Sequence, residues 1–191
     1  VTEEEIIQGL QSGDEKHFRE VVDRFQKSTI ALCMGILHNR EDAEDIAQDV
    51  FVEVFRSVGH FRGDARLSTW IYRIAVNKSL NHVRKMKRRR WILPMEKLFA
   101  GGGASGEMDA AVGLPPEDME RTQLSGKIHA AVDALPENQK TAFVLSKMED
   151  LSYREIADVM GVTLPAVESL LHRAKTNLQK KLWSSYKKEV E

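Results

Sequence analysis

The residues whose types and spacing could do chemistry begin at Phe61. The stretch FRGDARLSTWIYRIAVNKSLNHVRKMKRRR runs from there to Arg90 and mixes flat aromatics with cations. It opens as a loop in which Phe61, Arg62 and Asp64 surround Gly63, then enters a helix with Ser68 as the expected cap. Leu67, Ile71, Ile74 and Ala75 recur at helical spacing and give a core face. Trp70, Tyr72 and Arg73 fall partly off that face. The helix then runs into Arg84, Lys85, Lys87, Arg88, Arg89 and Arg90, six cations with no acid among them. Flat rings can stack on bases that have left a duplex, and a neighbouring cationic run can hold phosphates. The plain alternative is a core tryptophan beside a solvated basic helix end.

A second constellation is acidic. Glu41, Asp42, Glu44, Asp45, Asp49 and Glu53 make six acids in thirteen residues without one base. Acids at a helix start are favoured by its dipole, which accounts for Glu41 and Asp42 but does not reach Asp49 or Glu53. There, with Gln48 on the same side, a surface for a basic protein partner is expected. A carboxylate-bridged metal site among Glu41, Asp45 and Asp49 would need Glu-x-x-His pairs from two helices, and these helices carry none. No catalytic residue, metal or cofactor is expected.

The third constellation lies near the C-terminus. Ser152 and Glu155 have capping-box spacing ahead of a helix bearing Ile156, Ala157 and Met160. Gly161 can take a left-handed turn, Thr163 caps a last helix, and Pro165 sits in its first turn, where a missing N–H does no harm. Helix, short glycine turn and second helix make a helix-turn-helix layout. Its second helix is thin enough for the major groove. By geometry Glu168, Ser169, His172 and Arg173 would reach base edges, with Lys175 near the backbone. A plain helical hairpin is the alternative.

The remaining pattern supplies the elements that hold these groups. Thr2 to Leu10 reads as a short capped helix broken at Gly13, with Asp14 capping the next. Phe18, Val21, Val22, Phe25, Ile30, Met34 and Leu37 mark a long second helix ending at His38-Asn39. Ala43, Ile46, Ala47, Val50, Phe51, Val54 and Val58 mark a third, and Pro94 is expected to end the fourth. Residues 101–121, rich in Gly, Ala, Pro and acids, have no sustained period and read as a linker. As a flexible coil of about 25 residues it would average roughly 25–30 Å end to end. Leu124, Ile128, Ala131, Val132 and Leu135 then form a helix stopping at Pro136, and Ala142, Phe143, Leu145 and Met148 another. The expected fold is all-α, with two small helical domains joined by a flexible linker and a helix-turn-helix in the second. The boundaries fall at 1–94, 95–122 and 123–191.

Composition agrees with this and excludes other classes. The 191 residues hold 28 Lys and Arg against 29 Asp and Glu, so the near-neutral sum conceals segregated patches. Cys33 is the single cysteine, which rules out a disulfide within the chain and suits a buried, reduced thiol. The longest apolar run, Ile30 to Leu37, is too short to span a bilayer, so no membrane insertion is expected. The acidic start VTEEEII is unlike a secretory signal, and a cytoplasmic location is expected.

DAEDIAQDVFVEVF, FRGDARLSTWIYRIAVNKSLNHVR and LSYREIADVMGVTLPAVESLLHRAK, in that order, resemble segments of the extracytoplasmic-function sigma factors of bacterial RNA polymerase. The resemblance covers nearly the whole chain except the linker. It implies a detachable specificity subunit that directs core polymerase to promoters and helps open them. Asp45, Gln48 and Asp49 match positions that grip the clamp of the largest polymerase subunit. Phe61, Arg62 and Asp64 match the loop that captures a flipped base of the downstream promoter element. Trp70, Arg73 and Asn77 match the helix that opens the duplex and holds the nontemplate strand, with Arg84, Lys85, Lys87 and Arg88 on the DNA backbone. Glu168, Ser169, His172 and Arg173 match the readers of the upstream element, joined by Lys175. The linker acids Glu107, Asp109, Glu117 and Asp118 suit a basic channel in polymerase, and an anti-sigma factor is an implied partner. Glu168 and Leu170 depart from the cations common there in the family, so no promoter sequence carries over. The competing reading is a stand-alone helix-turn-helix regulator, which would need neither the acidic helix nor the aromatic loop.

Overall fold

The computed structural model describes residues 2–100, 126–148 and 151–190; the side chains of 90–100, 185, 186 and 188–190 are not described. The expected linker, its four acids and Leu124 lie outside these residues. All regular structure described is helical: α1 (Glu3–Gln11), α2 (Glu15–Leu37), α3 (Arg40–Ser57), a short 3-10 turn at Val58–His60, and α4 (Leu67–Ala100). After the linker come α5 (residues 126–133), α6 (Glu137–Leu145), α7 (Tyr153–Met160) and α8 (Leu164–Val190).

The starts and stops follow local chemistry. Thr2 caps α1 in a reciprocal capping box with Glu5, and Ser152 does the same for α7 with Glu155. Asp14 accepts from the Lys16 N–H at the start of α2, and Asn39 from the Asp42 N–H at the start of α3. Two stops use left-handed residues. Gly161 ends α7 at φ 66°, and His38 ends α2 at φ 55°, where a side chain is strained and must be held by its neighbours.

Several expectations are corrected. Ser68 is not the cap of α4: the helix begins at Leu67, and its N–H is taken by the Glu3 carboxylate at 2.6 Å. An acceptor from 64 residues away has replaced the local one. Pro94 does not end α4, which continues to Ala100, so the boundary expected after 94 falls inside the helix. A proline's fixed φ is already helical, and one ladder bond and some crowding are what the helix gives up. Tyr72 is buried, its hydroxyl donating to Ser28 Oγ at 2.9 Å. In α2 the fully buried residues past Phe25 are Thr29, Leu32, Cys33 and Ile36, while Ile30, Met34 and Leu37 are half-buried. That helix packs against α1, α3, α4 and α6, so its inner surface is broader than one stripe. Ile128 in α5 is exposed.

α1 to α4 form the first module and α5 to α8 the second. One hydrophobic core runs through both. Leu32, Ile36, Val50, Val54, Ile71 and Ala75 join Ala142, Val144, Leu145, Ile156, Val167 and Leu171 in a continuous cluster, while Ala131, Val132, Leu135, Ala174 and Leu178 form a satellite. At Gly35 of α2 the modules approach closely: a Cβ there would lie 2.6 Å from Val144 Cγ1 of α6. Only hydrogen fits there without a shift.

Candidate functional site

α3 buries Ala43, Ile46, Ala47, Val50, Phe51 and Val54 and turns Asp45, Gln48 and Asp49 outward, all exposed. Spacings of three and four place these on one patch. Among the described residues no hydrogen bond or ion pair engages them, whereas Glu44 pairs with Arg40 and Glu53 with Lys78. Beside them Val52 and Phe55 are exposed at 46% and 50%, so the patch is acidic with an apolar edge. That is a composition suited to a protein partner.

The loop between the 3-10 turn and α4 is held from below and from the side. Phe61 is buried and lies against Trp70, ring centroids 4.9 Å apart. Trp70 is half-buried, while Arg62, Asp64, Arg73 and Asn77 are exposed. The structure therefore makes Phe61 an anchor rather than a free stacking surface. Gln11 of α1 donates to the carbonyl oxygens of Val58 at 3.4 Å and Phe61 at 3.1 Å, and Glu3 holds the loop's far end at Leu67. Between α1 and the loop is an open cleft of about 640 Å³, bordered by Glu4, Gln8, Gln11, Arg62, Asp64 and Arg66. Its rim carries both hydrogen-bond donors and acceptors. Sequence reasoning missed Glu3 and Gln11, because nothing local ties them to residues 47 to 64 positions away.

Further along α4, Arg84, Lys85, Lys87 and Arg88 are all exposed, and Arg90 belongs to the side chains not described. Two α4 cations among the expected DNA contacts already have partners in the second module. Arg73 donates through Nε, at 3.1 Å, and Nη2 to the Asp158 carbonyl near the end of α7. Arg84 forks onto both carboxylate oxygens of Glu137 in α6, which raises the guanidinium's pKa. Just before α4, Arg66 pairs with Glu155 at 3.0 Å. The Glu155 carboxyl is held below its ordinary range by the Ser152 hydroxyl and N–H, with a smaller contribution from Arg66. Local spacing foretells none of these three partnerships, whose residues lie 53 to 89 positions apart.

In α8, Val167, Leu171, Ala174 and Leu178 face inward and Glu168, His172, Arg173 and Lys175 are exposed, with Ser169 half-buried. α7 lies beneath through Ile156, Ala157 and Val159. The Val162 N–H donates to the Ala157 carbonyl across Gly161, which tightens the turn. This gives the expected helix-turn-helix, with its second helix presenting a mixed polar row to solvent. Cys33 is remote from all of this and burial pushes its thiol pKa up, so it is inert. Among the described residues no group of three or more potential metal ligands occurs, and no helix is long and apolar enough to cross a membrane.

Comparison with known proteins places these surfaces in one family. The sequence profile of Sigma-70 region 2 matches residues 21–90, and that of Sigma-70, region 4 matches residues 125–178. RNA polymerase sigma-H factor of Pseudomonas aeruginosa is 32% identical over 183 residues, 94% of this chain and 93% of that protein. ECF RNA polymerase sigma-E factor of Haemophilus influenzae is 31% identical over 185 residues, 95% and 96% respectively. ECF RNA polymerase sigma factor SigW of Bacillus subtilis is 31% identical over 177 residues, 92% and 94%. Among solved structures, CnrH in complex with the cytosolic domain of CnrY has a TM-score of 0.67 at 20% identity, over 95% of this chain and 97% of that one. The sigma factor RpoE of Bartonella quintana, in complex with the anti-sigma factor NepR, has a TM-score of 0.62 at 21% identity, over 87% and 97%. Both share the helical fold. A paired region 2 and region 4, with relatives above 30% identity along nearly the whole chain, mean that this protein belongs to the extracytoplasmic-function sigma factors, the initiation subunits of bacterial RNA polymerase.

Proposed function

We propose that the family's work is divided along this chain as follows. The first module, through the end of α4 at Ala100, binds core polymerase and opens the downstream element, 101–122 tether the halves, and 123–191 read the upstream element. Asp45, Gln48 and Asp49 meet the clamp of the largest polymerase subunit. Arg62 and Asp64, on the loop anchored by Phe61, take an extruded base into the cleft beside α1. Trp70, Arg73 and Asn77 hold the nontemplate strand, and Arg84, Lys85, Lys87 and Arg88 its backbone. Extrusion costs a few kcal/mol, and stacking in a pocket returns about 1–3 kcal/mol. Glu168, Ser169, His172, Arg173 and Lys175 face the upstream duplex, where Glu168 can accept from a cytosine amino group. An anti-sigma factor is a further partner, as in the named complex of RpoE with NepR, and the site of action is the cytoplasm.

The observation that carries this reading is the exposed patch of Asp45, Gln48 and Asp49, which has no engaged partner within the described chain. A stand-alone regulator has no use for it. With core polymerase and genomic fragments, the purified chain should start RNA at defined nucleotides. Asp49→Lys should abolish co-elution with core and reduce initiation at least about tenfold, with unchanged melting. Normal co-elution of that variant would remove the assignment.

A further inference from the structure

We infer that the far half of α8 makes a second, sequence-independent contact with duplex DNA, in which Arg173, Lys180 and Lys187 hold backbone phosphates flanking the upstream element. The inference rests on reading the start of α8 as the row that faces that element.

Between Arg173 and Lys188 the sequence holds six cations and no acid. An ordinary solvated helix face mixes its charges, as α2 does with Glu15, Lys16, Glu20, Asp23, Arg24 and Lys27. Cations in a last helical turn are favoured by the dipole, which accounts for Lys187 but does not reach Arg173 or Lys180. Seven residues, close to two whole turns, separate Arg173 from Lys180 and Lys180 from Lys187, so the three fall on one edge. That edge lies opposite the buried row of Val167, Leu171, Ala174 and Leu178 and runs roughly 21 Å. All three cations are exposed, and among the described residues no hydrogen bond or ion pair engages their side chains.

The hydroxyls along the same edge turn back on the helix. Thr176 Oγ1 donates to the His172 carbonyl at 3.0 Å, and Ser184 Oγ to the Lys180 carbonyl at 2.9 Å, which leaves the cations to reach outward. Trp183, 67% exposed, stands three residues past Lys180 and four before Lys187, a broad ring with one N–H donor at the border of the row. The edge begins at Ser169 and Arg173, among the groups that face the upstream duplex, so the polyanion it meets next is that same duplex. A long reading helix comes to the DNA backbone at its far end. The region 4 match stops at residue 178, and Lys180, Trp183 and Lys187 lie past it. Contacts of this kind read no base; they add affinity and fix the register of the groups that do.

The full chain loaded on core polymerase, titrated against a promoter duplex and a scrambled duplex over a range of KCl, measures these contacts. Each phosphate neutralised contributes about 0.9 to the fall of log affinity with log salt. Lys180→Ala combined with Lys187→Ala should lower that slope by about 1.8 on both duplexes alike and leave the ratio of their affinities unchanged. Hydroxyl-radical protection should retract at the border of the upstream element. Lys180→Arg combined with Lys187→Arg should keep the parent slope. An unchanged slope in the alanine pair, with normal melting, overturns the inference. So does loss of co-elution with core polymerase, which would give the row to a protein partner. Loss of binding to phosphatidylglycerol vesicles with the DNA slope intact overturns it too, in favour of a membrane surface. The reading of the start of α8 is tested apart from this: His172→Ala should change the ratio between the two duplexes, and an unchanged ratio would sink that reading while the salt slope still decides the far half.

Discussion

At the scale of single residues, the features that proved legible were those whose cause lies within a few positions. Thr2 with Glu5 and Ser152 with Glu155 are capping boxes because the side chains and orphan N–H groups are three residues apart. Gly161 is similarly local. Tyr72 was misread because a single stripe was assumed for α4, whereas Ser28 of α2 offers its hydroxyl a partner inside the packing. Trp70 is half-buried against Phe61 and lies beside the exposed Arg73 and Asn77, a position compatible with either role, packing or strand holding. The two roles separate by substitution. Trp70→Phe keeps a ring on Phe61 and should melt within about 1 kcal/mol of the parent, while Trp70→Ala should lose roughly 2 kcal/mol from a half-empty site. Polymerase binding should survive in both. Permanganate reactivity of the promoter should fall in Trp70→Ala and persist largely in Trp70→Phe; equal reactivity in all three proteins would leave Trp70 as packing only.

At the scale of elements, α1 is the least expected contributor. It precedes the region 2 match at residues 21–90, and its pattern announced nothing beyond a short amphipathic helix. Yet it fixes both ends of the loop that carries Arg62 and Asp64, through Gln11 at Val58 and Phe61 and through Glu3 at Leu67. No pattern rule could find this, because it pairs residues 47 to 64 positions apart. Gln11→Ala should remove one donor serving two carbonyls and cost about 1 kcal/mol of stability. The larger effect should be on function. With the loop loosened, base discrimination at the position entering the cleft should weaken while upstream-element recognition by α8 stays unchanged. A matched panel of promoters, varied one base at a time, measures this; unchanged discrimination would confine α1 to structural support.

At the scale of the whole molecule, what the sequence withheld was the contact between modules. Each module's helices were foreseeable from periodicity, but the linker hid how they meet. One junction has its own pH response. Asp133 of α5 accepts from His38 of α2 at 2.9 Å and from Lys140 of α6, whose ammonium also donates to the Ile36 carbonyl at 2.7 Å. The His38 ring in turn stacks on His129, centroids 4.6 Å apart. Burial pushes the Asp133 carboxyl up, but Lys140 and His38 outweigh it and hold the group below its ordinary 3.8. A depressed carboxyl contributes stability that is fully present above its unfolded value and is lost as pH falls through the lower, folded one. Unfolding midpoints should therefore hold steady from pH 7 to about 5 as far as Asp133 is concerned, and drop below about 4. Asp133→Asn cannot titrate there. It should start less stable at neutral pH, since Lys140 is only 13% exposed and loses its counter-charge, and then decline less steeply in acid. Parallel acid limbs for the two proteins would show that Asp133 carries none of the response, leaving it to the other depressed carboxylates: Glu155, Asp14 and Glu5.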